Sequence, residues 1–335
     1  MRYNRLGRSD IKVSELGFGA WAIALDWWGK KIEEDEALRM LKKAYDVGIN
    51  FFETGDMYGK GKSERLIGQA FAGMRDEVVI STKFGYDFAG VEQIGHSELP
   101  QCFDADFARR ALRASLERLQ TGHVDMYGLH NPKLHHIRDN SIFETLESMV
   151  SDGLARTCQV ALGPAIGWTA EGLEAMERPC VSAIQTVYNV LEQTPGNELM
   201  RRAEEADVGV LVRVPEASGI LTGRVNADTK IDEKDHRSVR KGQWIKASLQ
   251  KVEQLRPIAD RNGLTITELA MKFVMSKRGF ASVLPTMTEL DEIDAYAGMA
   301  DGGYVPESDM RAIGALYDTW PEYELKATIP AAGAD

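Results

Sequence analysis

The chain has 335 residues and a formal net charge of −11, with the 44% hydrophobic and 27% charged residues of an ordinary globular protein. The acidic balance argues against sequence-independent binding to nucleic acid or to an anionic membrane, since both need positively charged faces. No secretory signal or membrane-length apolar run is visible, and the three cysteines show no CxxC spacing. We therefore expect a cytoplasmic protein with neither a nucleic-acid nor a membrane partner.

The first predicted element is a β-hairpin. Residues 3–16 alternate apolar and polar side chains on either side of a turn at 7–10.

Eight strand–helix units follow the hairpin. The predicted strands are 14–21, 49–53, 77–85, 124–130, 157–163, 181–189, 208–215 and 281–286. Helical patterns follow them at 33–48, 63–74, 104–119, 141–153, 169–178, 197–207, within 247–277 and at 289–299. The strands are continuous apolar runs, which is typical of a parallel sheet buried on both faces. Eight such units predict an α/β protein of the (β/α)8 TIM-barrel class.

The remaining segments fit around that barrel. We expect the hairpin to plug its N-terminal end and one extra helix to follow the last unit. Because no linker or low-complexity segment interrupts the pattern, residues 1–335 are predicted to form a single domain.

Polar residues stand where the second, third and fourth predicted strands end. The second strand ends at Glu53 with Tyr58 in the loop beyond it, the third ends at Lys83 and the fourth at His130. Chemistry in this barrel class collects at the carboxyl ends of the strands, so these four side chains should converge.

The four side chains suit proton transfer to a carbonyl oxygen. A phenol with a pKa near ~10 is a poor donor at neutral pH, but a nearby ammonium lowers that pKa. A carboxylate keeps the ammonium charged and oriented, and a histidine can hydrogen-bond the substrate oxygen. The hydride must come from a cofactor, because no side chain supplies one.

The chain resembles the aldo-keto reductase superfamily over nearly its whole length. The resemblance lies in FFETGDMYG (51–59), VVISTKFG (78–85), VDMYGLHNP (124–132), IQTVYN (184–189) and SGILTGR (218–224). It implies that Tyr58 is the general acid/base and that Lys83 and His130 tune it. The family has aspartate at the position of Glu53, so the charge is kept and the side chain is one methylene longer.

The positions that the resemblance assigns to nicotinamide depart further from the family. Gln185 is retained as one partner of the nicotinamide carboxamide. Ala161 and Leu162 replace the Ser-Asn pair that supplies the other partners, and their side chains form no hydrogen bond. Arg213 stands where an aromatic residue often stacks on the ring. Its guanidinium could stack there instead, face an acid or phosphate of the substrate, or pair with Glu216.

The resemblance assigns further positions to the cofactor. These are Ala20, Trp21, Gly219, Leu221, Thr286, Glu289 and Glu292.

The segment after the eighth strand bears on the choice of cofactor. Residues 285–296 contain no lysine or arginine to hold a 2'-phosphate and carry Glu289, Asp291, Glu292 and Asp294 instead. Such carboxylates repel a phosphate and can bind the ribose hydroxyls of NAD, so we favour NAD(H), with NADP(H) as the alternative. The acids could also simply charge the first turn of a helix, but even then we expect no base nearby.

Two groups of residues have open interpretations. Trp27, Trp28, Phe88 and His96 lie in predicted loops above the barrel mouth and are candidates for the wall of a substrate pocket. The stretch at 130–136 is rich in histidine, but adjacent imidazoles such as those of His135 and His136 rarely bind one ion, so we expect no metal.

The sequence therefore predicts an NAD(P)(H)-dependent oxidoreductase that interconverts an aldehyde or ketone and its alcohol. A sugar or another polyhydroxylated carbonyl compound is the expected substrate class. Its partner is that small molecule, and the oligomeric state is open. One alternative is a nicotinamide-binding sensor or accessory barrel with little turnover, which Ala161, Leu162 and Arg213 keep in view. The other is a metal-assisted barrel hydrolase.

Overall fold

The computed structural model describes residues 1–26, 29–91, 99–163, 167–232, 235–239 and 242–320. Eight strands form one parallel sheet in chain order, and a two-stranded antiparallel hairpin precedes it. The hairpin strands are β1 (Tyr3–Arg5) and β2 (Lys12–Ser14). The sheet strands are β3 (Phe18–Gly19), β4 (Phe51–Glu53), β5 (Val79–Phe84), β6 (Val124–His130), β7 (Ala155–Ala161), β8 (Val181–Val187), β9 (Gly209–Arg213) and β10 (Phe280–Leu284).

Helices alternate with the strands. They are α1 (Glu34–Asp46), α2 (Lys62–Ala70), α3 (Ala105–Leu119), α4 (Leu134–Arg138), α5 (Asn140–Ser151), α6 (Thr169–Met176), α7 (Gly196–Ala206), α8 (Gly242–Arg261), α9 (Ile266–Met275), α10 (Leu290–Met299) and α11 (Glu307–Thr319). No helix within the described ranges is both long and apolar enough to span a bilayer.

The sheet closes on itself between its first and last strands. The amide of Gly17 donates to the carbonyl of Val283 at 2.9 Å, and the amide of Val283 donates to the carbonyl of Glu15 at 2.8 Å. Leu16 and Val283 form the parallel bridge at this seam. The predicted (β/α)8 barrel is therefore confirmed.

The hairpin covers the N-terminal end of the barrel. Leu6, Ile11 and Val13 are buried in one cluster with interior residues of the barrel such as Phe51 and Leu211. Gly7 has φ +48° in the hairpin turn, and a Cβ there would meet the carbonyl oxygen of Ser182. The predicted plug is thus present, and it needs glycine at the position where the hairpin turn comes closest to the barrel backbone.

The alternation of side chains along each strand determines what reaches the open end of the barrel. Phe51 on β4 and Leu211 on β9 face the interior at the closed end. Because successive side chains alternate between faces, Glu53 and Arg213, two residues further on, face the interior as well. The carboxyl ends of the strands thus carry polar residues above an apolar floor.

The structure differs from the sequence-based prediction in two details. The first barrel strand is two residues long, where eight residues had been expected. The short helix α4 follows β6, within a stretch predicted as loop. In agreement with the prediction, one extra helix, α11, follows the last unit.

Candidate active site

Four side chains converge at the carboxyl ends of β4, β5 and β6. Lys83, Glu53 and His130 are 0%, 3% and 4% exposed, and Tyr58 in the loop after β4 is half-buried. The register places Glu53 beside Ser81 on β5, and Lys83 beside Gly128 on β6. The sequence argument therefore identified residues that the fold brings together.

Lys83 is held by a carboxylate and a carbonyl. Its Nζ donates to Glu53 and, at 2.6 Å, to the main-chain carbonyl of Thr54. The same Nζ lies 4.7 Å from the ring centroid of Tyr58. Burial lowers the pKa of Lys83, while the Glu53 carboxylate opposes that shift. The ion pair thus keeps a buried cation beside the phenol.

His130 lies against two aromatic rings. Its ring meets those of Tyr58 and Tyr86 edge-on, with centroid separations of 5.7 Å and 5.2 Å. Burial, with Lys83 and Arg213 nearby, holds its pKa well below the usual value. The imidazole is therefore neutral near pH 7. Its buried Nδ1 has no hydrogen-bond partner in the described ranges of the chain.

The phenol of Tyr58 behaves differently from the sequence-based expectation. Burial raises its pKa well above the usual value, Glu53 adds to the shift, and Arg213 opposes it. We expected Lys83 to lower this pKa. The net direction is upward because desolvation dominates and because the carboxylate paired with Lys83 offsets the ammonium.

Two further residues that the sequence did not indicate lie at the site. Tyr86 is 8% exposed and accepts a hydrogen bond from Asn131 at 2.7 Å through its hydroxyl. Asp56 is 2% exposed, and burial and nearby Glu64 raise its pKa well above the usual value. Both lie two or three residues beyond a strand end, so a search extended past those ends could have found them.

Glu53 also contacts Gln185, the residue expected to bind the nicotinamide carboxamide. Nε2 of Gln185 donates to Oε1 of Glu53 at 3.2 Å. Lys83 donates to the same oxygen. One carboxylate thus joins β4, β5 and β8 at the barrel mouth.

Arg213 is anchored to the end of β7. Its Nη2 donates to the carbonyls of Leu162, at 2.7 Å, and of Gly163. Its Nε is buried, and no residue that the structure describes is a hydrogen-bond partner for it. Oε1 of Glu216 instead accepts from the Thr286 amide at 2.5 Å, and its Oε2 has no partner among the described residues. The interpretation of Arg213 as an ion-pair partner of Glu216 is therefore wrong.

The two residues that replace the Ser-Asn pair lie in different surroundings. Ala161 is aligned with His130 on one side and with Gln185 on the other. Leu162 belongs to the apolar core between the sheet and its helices.

The loop after β9 has an unusual backbone. Val214, Ala217 and Ser218 have φ between +49° and +58°, and Gly219 has φ +92°. A β-branched residue is rarely found in this region, and such strain concentrates at ligand-binding sites. Gly219 and the buried Leu221 belong to this loop.

The other positions assigned to the cofactor lie around the same mouth. Ala20 follows β3, and its amide donates to the carbonyl of Glu53 at 2.8 Å. Trp21 comes next and is half-buried, and Thr286 follows β10.

The acidic segment after β10 has basic neighbours, so the expectation that none is available was wrong. Lys30, from the loop after β3, pairs with Glu289 at 2.8 Å. Arg224, from the loop after β9, pairs with Glu292. Sequence reasoning could not find these bases because they come from distant parts of the chain.

Glu292 also caps its own helix. Its Oε2 accepts from the amides of Thr288 and Glu289 at 2.6 Å and 3.1 Å, which satisfies the first turn of α10. The carboxylate is therefore held by two local amides and one arginine.

A cavity of about 1130 Å³ opens beside this segment. The loop after β9 and helices α8, α9 and α10 line it. Its polar lining includes Thr222, Arg224, Asn226, Lys246, Asp291 and Glu292.

The candidate pocket wall is described in part. Phe88 is half-buried in the loop after β5, and Trp27, Trp28 and His96 lie outside the described residues. His135 and His136 have ring centroids 3.9 Å apart, but Nδ1 of His136 accepts from the Lys133 amide at 3.1 Å. Within the described ranges, no three histidine, cysteine or acidic side chains are grouped to hold a metal ion.

Comparisons with known proteins agree with this geometry. The model of the aldo/keto reductase family matches residues 15–318. A probable voltage-gated potassium channel subunit beta from Oryza sativa subsp. japonica is 27% identical over 88% of this chain and 89% of its own.

Two solved structures have the same fold. The holo form of the aldo-keto reductase AKR11C1 from Bacillus halodurans has a TM-score of 0.76 at 24% identity, covering 94% of this chain and 96% of its own. The glycerol dehydrogenase AKR11B4 from Gluconobacter oxydans has a TM-score of 0.80 at 21% identity, covering 98% and 99%. The chain belongs to the aldo/keto reductase family, and it is an oxidoreductase of the kind that uses a nicotinamide cofactor.

Proposed function

We propose that this protein interconverts an aldehyde or ketone and the corresponding alcohol, with Tyr58 exchanging the proton at the substrate oxygen. The observation that carries the proposal is the convergence of Tyr58, Lys83, Glu53 and His130 at the barrel mouth. A bound nicotinamide supplies or accepts the hydride at the carbonyl carbon.

Each of the four residues has a distinct role in this proposal. Tyr58 carries its proton at neutral pH, as a phenol of ordinary pKa does, and burial raises its pKa further. It can therefore act as the general acid in the reduction direction. The phenolate left behind is stabilised by the ammonium of Lys83, which Glu53 and the Thr54 carbonyl hold in place. Neutral His130 is available to donate an N–H to the substrate oxygen.

The residues around the site suit a dinucleotide. Nε of Arg213 and Oε2 of Glu216 are buried and have no hydrogen-bond partner among the described residues, which leaves both for a ligand in this proposal. We propose that Gln185 and Arg213 hold the nicotinamide end, that this loop with Gly219 and Leu221 follows the diphosphate, and that the cavity beside α10 takes the adenosine.

We propose NAD(H) as the preferred cofactor. The bases near the acidic segment, Lys30 and Arg224, are already neutralised by Glu289 and Glu292. A 2'-phosphate would have to displace these carboxylates and then lie beside them.

The preference can be tested by releasing one base. Glu292→Gln keeps an acceptor for the amides of α10 but frees Arg224. We expect the ratio of the NADPH to the NADH dissociation constant to fall by about tenfold. Asp294→Asn, which removes an equal charge from the same helix at the exposed pair with Lys43, should leave the ratio unchanged. Tighter binding of NADPH than of NADH by the unmodified protein would contradict the preference.

We further propose that the substrate is a sugar or another polyhydroxylated carbonyl compound. The glycerol dehydrogenase of Gluconobacter oxydans shares the fold, which supports a hydroxylated substrate. A panel of aldoses, hydroxyaldehydes and unsubstituted aldehydes of matched size should give higher kcat/KM for the hydroxylated members. A preference for the unsubstituted aldehydes would reject this substrate class.

The accessory-barrel alternative is tested by turnover. The β-subunit named for the rice relative keeps that alternative in view. A single-turnover experiment with bound NADH and the same panel should show oxidation of the cofactor. Tight binding with no oxidation by any carbonyl would replace the enzyme proposal with the sensor.

A further inference from the structure

The nicotinamide end of the site lacks two polar side chains. Ala161 offers a methyl group, and Leu162 is buried in the outer core. A nicotinamide carboxamide has one carbonyl acceptor and two N–H donors, and each loses affinity if it is desolvated without a partner. This inference rests on the proposed function, because it concerns how that cofactor is held.

Gln185 has a fixed orientation. A carboxylate only accepts hydrogen bonds, so the contact with Glu53 at 3.2 Å requires the NH₂ group of Gln185 to face it. The amide oxygen of Gln185 then remains available as an acceptor. The extra methylene of glutamate extends the carboxylate that serves both Lys83 and Gln185.

Arg213 supplies the complementary donor. Gln185 pairs in register with Leu211, so Arg213 lies two residues further along the neighbouring strand and on the same interior face. Its Nη2 is occupied by the carbonyls of Leu162 and Gly163, which fixes the plane of the guanidinium. Its Nε is buried and has no hydrogen-bond partner within the described part of the chain. A fixed donor and a fixed acceptor therefore stand side by side.

We propose that Arg213 donates to the carboxamide oxygen of nicotinamide, while Oε1 of Gln185 accepts from the carboxamide N–H and Glu53 sets the orientation of Gln185. Arg213 thereby replaces the donors that Ala161 and Leu162 lack. Two other roles compete with this one. A stacking guanidinium would contact the ring whatever its substituent, and a substrate-binding guanidinium would contact no part of the cofactor.

Analogues of the cofactor separate these roles without any mutation. Reduced thionicotinamide adenine dinucleotide replaces the carboxamide oxygen with sulfur, a weak acceptor, and should weaken the Arg213 contact. The reduced 3-acetylpyridine analogue keeps the oxygen but replaces NH₂ with a methyl group, and should lose the Gln185 contact. ADP-ribose lacks the nicotinamide ring. We expect each reduced analogue to bind about tenfold or more weakly than NADH in fluorescence titrations.

Two variants assign each loss to a residue. Arg213→Met keeps the length of the side chain but removes the donors. It should weaken NADH and the acetyl analogue about 10- to 100-fold, and leave the thio analogue and ADP-ribose within about twofold. Gln185→Met should weaken NADH and the thio analogue but not the acetyl analogue. Gln159→Met, which removes another buried glutamine that bonds Ser81 and Thr82, is the matched control and should change none of the four affinities.

The possible results lead to different conclusions. Equal weakening of all three nicotinamide compounds by Arg213→Met would overturn the proposal in favour of stacking. Unchanged cofactor binding with a raised KM for the carbonyl substrate would overturn it in favour of substrate recognition. The unmodified protein could bind ADP-ribose and NADH but bind NADH and its two reduced analogues equally tightly. In that case the inference would fail while the proposed function stood. Binding of no dinucleotide at all would reject both.

Discussion

Tyr58 is the residue on which the proposed chemistry depends. Its ring lies within reach of the Lys83 ammonium and against His130, and its raised pKa keeps it protonated. In the proposed reaction the hydroxyl is the functional group and the ring positions it.

Replacement of Tyr58 by phenylalanine should therefore remove the proton donor and little else. We expect kcat for carbonyl reduction to fall about 10²- to 10⁴-fold, the usual contribution of a general acid. The dissociation constant of NADH should change by less than about twofold, since the ring remains. Steady-state rates and a fluorescence titration measure the two quantities. Retention of the original kcat would exclude Tyr58 as the acid.

At the residue scale, the sequence predicted which four side chains converge better than it predicted their electrostatics. Strand ends can be read from apolar runs, so Glu53, Lys83 and His130 were found. The direction of the Tyr58 pKa shift was not, because it depends on burial and on a carboxylate brought in by folding. The partners of Arg213 likewise come from β7, about 50 residues earlier in the chain.

At the scale of elements, continuous apolar runs predicted the strands, and helical periodicity predicted most helices. The first strand was overestimated, because Leu16 and Gly17 pair across the seam outside a regular ladder. The helix α4 was missed, since its five residues contain two histidines that sequence reasoning considered as metal ligands. The ion pairs of α10 join separate elements, so no local pattern reveals them.

The hairpin plug offers a prediction at this scale. Gly7→Ala would place a methyl group against the Ser182 carbonyl and 2.7 Å from the Gly209 amide nitrogen. We expect it to lower the free energy of unfolding by about 3 kcal/mol or more, since backbone atoms cannot yield.

Gly73→Ala is the matched control for the hairpin. Gly73 has φ +79° but nothing within 4 Å of the added methyl group, so it isolates the strain of the left-handed conformation. Its expected cost is about 1 kcal/mol. Urea denaturation of both variants gives the comparison, and equal losses would mean that the hairpin does not press on the barrel end.

At the scale of the whole molecule, we propose that the chain unfolds as one domain, with coincident transitions in near- and far-ultraviolet circular dichroism. The barrel strands contribute buried residues both to the cluster that holds the plug and to the cluster that holds the outer helices, which supports this view. Separate transitions would contradict a single domain.

The stability of the whole molecule should depend on pH through Glu216. Burial raises the pKa of this carboxyl to about 7, from 4.5, with Glu292 adding to the shift. The folded state therefore holds a proton that the unfolded state releases between these values, and stability falls as pH rises from 4.5 to 7. The total loss from this group amounts to about 3 kcal/mol.

Glu216→Gln keeps an acceptor for the Thr286 amide but cannot ionise. The free energy of unfolding of the variant minus that of the unmodified protein should be about 3 kcal/mol larger at pH 8 than at pH 4.5. Denaturant unfolding across this range measures the difference. A stability difference that is independent of pH would mean that Glu216 titrates normally.

The seam between β3 and β10 also bears on how the barrel assembles. Leu16 and Val283, which form its bridge, lie near opposite ends of the chain. During synthesis the strands that carry Glu53, Lys83 and His130 emerge early and can pair with their neighbours, but the first strand must wait for the last. A long-range contact of this kind is slow to form, because its loop-closure entropy must be overcome before the contact stabilises the chain. The nascent protein therefore exposes an unpaired β3 edge until most of its length has been made, and this edge is where chaperone contact or mispairing would occur.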